Sequence, residues 1–364
     1  MIITGEITTY DVPDNARDVS AAFNLIAMPH TPLLNKVPLG NSCENVKHEW
    51  YDDKRLPIAT TLGAAFTSGG ASLTVASSAG LRIGSIVQVG TSVYRVTGIT
   101  DSTHVAVTAI ASDANHDSGV KVSFLGNART ENSAKQDGDS AQTEERYNVT
   151  QIFDDFVEMS GSEMATKKHA PEASDLPGQV RKKLERAYYQ LAMALCKNPR
   201  VAPSTKADPR IMGGVEWFIA QNGYVPSSAA FSTDNFDAFL LELQNNGLDV
   251  FEIWINPTDM ARFSGLDSTK IQIQWGSKER GTPIVEKYFS KHGIICDVFM
   301  DPCMTAGKID VFKSADIEVK SLAGRQFQVK NMPETTDGTV KRLLGEYTAR
   351  FTNSSLWGRF TPSA

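Results

Sequence analysis

The strongest helical pattern in the chain is a stripe of apolar residues. Leu176, Val180, Leu184, Ala187/Tyr188, Leu191 and Leu195 recur at i, i+4 and i+7. The spacing predicts a helix over 174–197, with Ser174 as its cap, Pro177 in its first turn and Asn198-Pro199 as its stop. At 1.5 Å per residue such a helix is about 35 Å long, more than a small domain needs. A second helix is predicted over 233–246, where Phe236, Phe239, Leu240 and Leu243 share a face and Asn246-Gly247 closes it. A shorter amphipathic run, 17–26, carries Val19, Ala22, Phe23 and Ile26. It leads into Met28-Pro29-His30-Thr31-Pro32-Leu33-Leu34, where two prolines three apart predict a rigid, extended path.

Strand patterns occupy most of the rest. Residues 46–56 read as a strand whose partner lies about ninety residues on, at 147–159, with Tyr147, Val149, Phe153, Val157 and Met159 on one face. Between them, 62–126 carries five short β runs (72–75, 85–89, 92–96, 104–108 and 120–124), with turns at Gly90-Thr91 and Thr100-Asp101-Ser102. Five short strands in so few residues predict a small β-barrel inserted at the tip of a hairpin. The polar stretch 126–146, with Asp137-Gly-Asp-Ser and Glu144-Glu145-Arg146, reads as an exposed loop. Beyond Phe231, strands are predicted at 250–255, 283–289, 294–300, 309–312 and 326–329, with Asn256 capping a short helix over 257–263. Residues 340–351 alternate. Leu343, Tyr347, Ala349 and Phe351 oppose Arg342, Glu346, Thr348 and Arg350, the pattern of a half-buried strand that completes an earlier layer. The fold class is α+β.

Composition changes this picture little. The 364 residues, 41% hydrophobic and 21% charged, suit two or three folded domains. A net charge of −6 argues against a protein whose main task is gripping nucleic acid, because phosphate neutralisation supplies most of that affinity. Arg181-Lys182-Lys183 and Arg186 form the main basic cluster, and a solvated helix face paired with Glu185 explains it more simply than DNA contact. Cys43, Cys196, Cys296 and Cys303 are scattered without a C-x-x-C pair and are expected as free thiols. No run approaches the roughly 18 apolar residues of a membrane span, and the start has no secretion-signal pattern.

No local motif for catalysis or cofactor binding is present. The chain lacks a P-loop, a G-x-G-x-x-G turn and H-E-x-x-H, and its six histidines share no ligand spacing. Asp113-Ala-Asn-His116-Asp117 lacks the glycine and terminal glutamate of a calcium loop and reads as a polar turn. Cys296 sits in an apolar strand, as a core residue does. No catalytic residue, cofactor or metal is expected. One alternative function is a surface-adhesion or carbohydrate-binding protein using the inserted barrel. The few aromatics there, Phe66, Tyr94 and Phe124, look like core and weigh against sugar binding.

The order of these parts resembles the tailed-bacteriophage major capsid proteins, whose fold is shared with the floor of the herpesvirus capsid. Five stretches carry the resemblance: Arg17-Asp18-Val19 with the helix reaching Ile26; Pro29-His30-Thr31-Pro32-Leu33-Leu34; His48-Glu49-Trp50; Val250–Pro257; and the late Gly345-Glu346-Tyr347-Thr348. The likeness spans nearly the whole length and lies in order and spacing more than in any one motif. The insertion at 62–126 departs from it.

The resemblance implies an N-arm at 1–45, an extended loop at 46–61 and 127–160, and the inserted barrel at 62–126. It further implies a peripheral domain at 161–225 and 336–364, with 174–197 as its spine helix, and an axial domain at 226–335. It implies a shell of homo-hexamers and homo-pentamers in the virion, assembled in the bacterial cytoplasm around dsDNA that the subunit touches only weakly. Partners would be other copies, portal and cement proteins and, since no long helical leader precedes the arm, a separate scaffolding protein. Candidate inter-subunit contacts are the arm residues Phe23, Leu25, Leu33 and Leu34, which could equally pack on the chain's own long helix. The loop residues Asp52, Asp53, Lys54, Arg55, Glu144, Glu145 and Arg146 are the other candidates, each exposed pair contributing only about 0–1 kcal/mol.

Overall fold

The computed structural model describes residues 31–53, 56–128, 131, 143–167, 175–205, 207–265, 271–274, 284–333 and 337–363. In chain order the elements begin with α1 (Pro32–Lys36), β1 (Lys47–Asp52), β2 (Ala59–Thr61), β3 (Ser72–Thr74), β4 (Ser85–Val89), β5 (Ser92–Ile99), β6 (His104–Ala111) and β7 (Lys121–Asn127). Then come β8 (Glu144–Val149), β9 (Gln151–Ser160), α2 (Gly161–Ala165), α3 (Leu176–Lys197), α4 (Val215–Asn222) and α5 (Thr233–Asn246). The C-terminal part holds β10 (Phe251–Ile255), α6 (Met260–Ser264), β11 (Ile271–Gln274), β12 (Ile284–Phe289), β13 (Ile295–Met300) and β14 (Ile309–Phe312). It ends with β15 (Ile317–Ser321), β16 (Gln328–Asn331), β17 (Gly338–Phe351) and β18 (Gly358–Phe360).

The chain divides into two compact units, one of Met1–Trp50 with Arg146–Ala364 and one of Tyr51–Glu145. The paired strands β1 and β8 carry the chain out of the first and back.

The larger unit holds two sheets. One runs β11-β12-β13-β10-β14-β18, with β10 parallel to β13 and the other pairs antiparallel. Its central strand β10 is buried at every position, which is why it is apolar apart from Glu252, whose carboxylate is met by Lys36 and Ser314. Trp254 lies stacked between Phe299 and Phe312, with centroids 4.8 and 5.6 Å away. The other sheet is organised by β17, which pairs with β9, β15 and β16. The single core of the unit draws on both sheets and on α3, α4 and α5.

Local sequence explains the helix ends. The Ser232 side chain accepts from the Asn235 amide, and Gly247 closes α5 at φ +106, a conformation glycine adopts without a Cβ clash. The long helix α3 starts at Leu176 with Pro177 in its first turn. Its cap position is Asp175, which makes no side-chain cap bond; the expected cap, Ser174, lies outside the described residues. Its apolar stripe is only half-buried at Val180 and Leu184 and becomes fully buried from Leu191 to Cys196.

Three expectations are corrected. Residues 32–36 form a helix rather than an extended path, because Pro32 stands in the first turn, where its missing N–H has no partner to lose. The partner of β1 is β8, at 144–149, while 151–160 pairs with β17. And β17 is buried on both faces from Leu343 to Ala349, Glu346 and Thr348 included.

The smaller unit is a six-stranded sheet of order β2-β7-β4-β5-β6-β3. Its two outer strands meet. Leu62 and Val75 form a bridge, the Gly63 amide donates to the Thr74 carbonyl (2.9 Å) and the Ala76 amide to the Thr61 carbonyl (2.8 Å). Inside lie Leu62, Phe66, Leu73, Val87, Val89, Tyr94, Val96, Val105, Val107 and Val122. Asp113 clamps a turn, accepting from the Gly69 amide (2.6 Å) and the Tyr94 hydroxyl (2.9 Å).

Candidate assembly surfaces

Residues 31–46 run across the larger unit as a strap. The Leu33 amide donates to Asp301 Oδ2 (2.9 Å), and Asp301 Oδ1 accepts from the Cys303 amide (2.7 Å). Lys36 Nζ reaches Glu252 Oε1 at 2.8 Å and stands 3.7 Å over the Phe299 ring. The strap then lies along β15, with bridges Leu39–Val319 and Cys43–Leu322. Leu33 is 1% exposed, in the same core as Leu191 and Leu195, and Leu34 packs partly buried beside it. The structure thus places Leu33 on its own chain, where it has no surface left for a neighbour. Leu33→Ala is expected to lower the stability of the folded chain by about 2–5 kcal/mol, read as a lower denaturation midpoint; an unchanged midpoint would show the strap to be loosely held. Phe23 and Leu25 lie outside the described residues.

The polar residues at the root of β1 and β8 do not form the exposed loop expected of them. Asp52 ends β1 and is 7% exposed. Glu144, Glu145 and Arg146 belong to β8, the two glutamates exposed and Arg146 half-buried and donating to Asn222 Oδ1. Asp53 is exposed; Lys54 and Arg55 lie outside the described residues.

Several side chains that hold β8 carry no sequence signal. Asn148 is fully buried: its Nδ2 donates to the carbonyls of Gly213 (3.0 Å) and Ala349 (2.8 Å), and its Oδ1 accepts from the amides of Gly213 (2.8 Å) and Val149 (2.9 Å). Arg200 donates to the Tyr147 carbonyl (2.8 Å), and its guanidinium carbon sits 3.8 Å from the Tyr147 ring centroid and 4.3 Å from that of Trp217. On β17, Glu346 accepts from Thr150 Oγ1 (2.6 Å) and Arg210 Nη2 (2.9 Å) and pairs with Arg325 (2.7 Å). These contacts join segments far apart in sequence, so no local pattern announces them.

The basic cluster on α3 has acidic partners. Arg181 pairs with Glu185 at 3.2 Å and Lys183 with Asp155 at 2.7 Å. Burial pulls the Asp155 carboxyl up, but the Lys183 hydrogen bond, the Phe156 amide and the charges of Lys183 and Arg186 together outweigh it and leave the group below its ordinary range. All four cysteines are free and buried, and burial pushes the Cys296 thiol well up, the opposite of an activated nucleophile. Among the described residues no group of three or more metal-type side chains gathers, and no helix is long and apolar enough to cross a membrane.

This architecture is the fold of phage capsid chains. Among solved structures, the capsid of Cyanophage A-1(L) is similar at TM-score 0.56 and 10% identity, covering 97% of this chain and 98% of that one. A chain of Microbacterium phage Oxtober96 is similar at 0.53 and 12%, covering 99% and 100%. The capsid of a native GTA particle is similar at 0.52 and 10%, covering 98% of each. No curated protein sequence matches. The sequence profile of the SU10 major capsid protein matches residues 3–363, and the chain belongs to that family. It is therefore a bacteriophage capsid protein, a structural component of the virion and a member of a family that is not a class of enzymes.

Proposed function

We propose that this chain forms the icosahedral head shell of a tailed phage, assembling as hexamers and pentamers around packaged dsDNA. The observation that carries the reading is the family match over 3–363. The reading assigns 1–45 to an N-arm, 46–61 and 127–160 to an extended loop, and 62–126 to an inserted β-barrel. It assigns 161–225 and 336–364 to a peripheral domain with α3 as its spine, and 226–335 to an axial domain. Identical head-to-tail contacts that close by rotation give rings, and each specific contact typically buries about 1,200–2,000 Å². The arm upstream of the strap, with Phe23 and Leu25, reaches a sister copy, as do Asp53, Glu144 and Glu145. A separate scaffolding protein, a portal and cement proteins complete the partners. DNA contact is weak and nonspecific, in keeping with the net charge of −6.

Electron microscopy of the overexpressed chain with its scaffold tests this. Closed shells, tubes or capsomer rings are expected. A protein that stays monomeric under these conditions and binds glycans instead contradicts the reading.

A further inference from the structure

The strand β9 has a partner on one side only. Among the described residues it pairs with β17 alone, through ten consecutive positions without a break in register. The hydrogen bonds of β17 show which way its backbone groups point. The Val340 carbonyl accepts from the Met332 amide (2.9 Å). The Glu346 amide donates to the Arg325 carbonyl (2.9 Å), and the Glu346 carbonyl accepts from the Leu322 amide (3.0 Å). The even positions of β17 therefore face β15 and β16, and its odd positions face β9. The register matches odd with odd, as in Leu343↔Asp155 and Gly345↔Phe153. Backbone groups alternate in direction along a strand, so Ile152, Asp154, Phe156 and Glu158 turn their N–H and C=O groups away from the sheet. The Phe156 amide agrees: it donates to the Asp155 side chain (2.9 Å) rather than to a strand.

Open edges invite strand pairing, and proteins blunt them with lysine, proline, a bulge or an outward charge. Residues 151–160 contain no lysine and no proline. Two of the three acids there are drawn back onto their own chain. Asp154 takes a two-pronged bond from Arg342 (2.8 and 2.6 Å), and Asp155 holds Lys183 (2.7 Å). Two depressions of about 520 Å³ each flank the strand, one between Ile152 and the prolines Pro203 and Pro209, the other at Phe156 and Ser160 beside Lys183. A run of outward backbone groups with side-chain pockets beside it is the arrangement that takes up an extended segment as an added strand.

The chain itself carries a segment of that kind. Residues 6–12 include Ile7, Thr8, Thr9, Tyr10 and Val12, β-branched or aromatic, and Pro13 stops the run. Its seven residues match the open edge over 152–158, a length of about 23 Å. The segment lies outside the described residues. Which copy supplies it follows from the strap. Gln151 and Ser321 both pair with Tyr347, so β9 and β15 flank β17 on opposite sides. The strap runs along the far side of β15, where the Val319 amide donates to the Pro38 carbonyl (3.1 Å) and the Gly40 amide to the Val319 carbonyl (2.8 Å). The chain's own arm thus leaves from the edge opposite the open one, which favours the arm of another copy.

We infer that the open edge of β9 receives residues 6–12 of a second copy as an added strand. The inference rests on the shell reading above and goes further by naming the acceptor edge and the mode of contact.

Residue-resolved hydrogen exchange of the wild-type full-length chain tests the edge, comparing unassembled subunits with shells. The amides of Ile152, Asp154 and Glu158 are expected to exchange at least about tenfold more slowly in shells. Equal rates in both states overturn the inference while leaving the shell reading intact. Co-assembly of two differently tagged chains identifies the occupant, one carrying Tyr10→Cys and the other Ile152→Cys or Phe156→Cys; the native cysteines are all buried. A short bis-maleimide is expected to join the two tags. Amide protection without that link overturns the inference by assigning the edge to another segment. A link that forms only when both substitutions stand in one chain overturns it by assigning the edge to the chain's own arm. Failure of the wild-type chain to form shells would overturn the shell reading and this inference with it.

Discussion

Replacing Arg359 by methionine is expected to destabilise the folded chain by about 3–5 kcal/mol, enough to unfold much of the larger unit under mild conditions. Arg359 on β18 holds Asp310 on β14 in a two-pronged ion pair, Nε to Oδ1 at 2.6 Å and Nη2 to Oδ2 at 2.9 Å. Asp310 is fully buried. Burial pulls its carboxyl upward, and the guanidinium is what opposes this. Glu216 stands 3.8 Å from Arg359 and is itself fixed by Lys308 (2.9 Å) and the Thr305 amide (2.9 Å). Removing the arginine strands one buried carboxylate and exposes a second to its field. Replacing both partners of the inner pair, Arg359→Met with Asp310→Leu, is expected to recover most of the loss, because no buried charge is then left alone there. Denaturant unfolding of the three proteins checks this. A single variant as stable as wild type would mean that water compensates the carboxylate and the strand pair does not depend on the bridge.

The second large effect concerns assembly rather than stability. Deleting residues 1–28 is expected to abolish shell formation while leaving a folded subunit. The cut spares the features that fasten the strap, namely Leu33 on Asp301, Lys36 on Glu252 and the bridges along β15. What it removes is the arm with Phe23 and Leu25, whose burial partners the proposal places on a neighbouring copy. Near-ultraviolet circular dichroism and thermal unfolding should match the full-length chain, with electron microscopy showing no particles. Normal shells from the truncated protein would refute the role given to the arm.

How much of this was legible in the sequence depends on how local each cause is. Ser232, the apolar face of α5 and Gly247 lie within one short stretch, so that helix was read with its ends. The mostly apolar run of β10, broken only by Glu252, announced a buried strand for the same reason. The strand β17 was misjudged on one face. Its alternation is real, but Arg210 and Arg325 cover Glu346 from distant parts of the chain. A buried carboxylate with two arginines looks, in sequence, like any surface glutamate. The short strand β15 was overlooked because its alternate Glu318 and Lys320 read as surface. Leu33 posed a different problem, since its apolar character required burial without saying on which copy; Asp301, 268 positions away, decides it. The contact candidates at Glu144, Glu145 and Arg146 were assigned to a loop because their charges outweighed the β pattern of Tyr147 and Val149 that continues the same strand.

The most direct test of the account is sedimentation velocity of the purified full-length chain at rising concentration, with and without scaffold. The account predicts a concentration-dependent step from the 39.7 kDa subunit to rings and closed particles. A single species of subunit mass at every concentration, scaffold present or not, would contradict it.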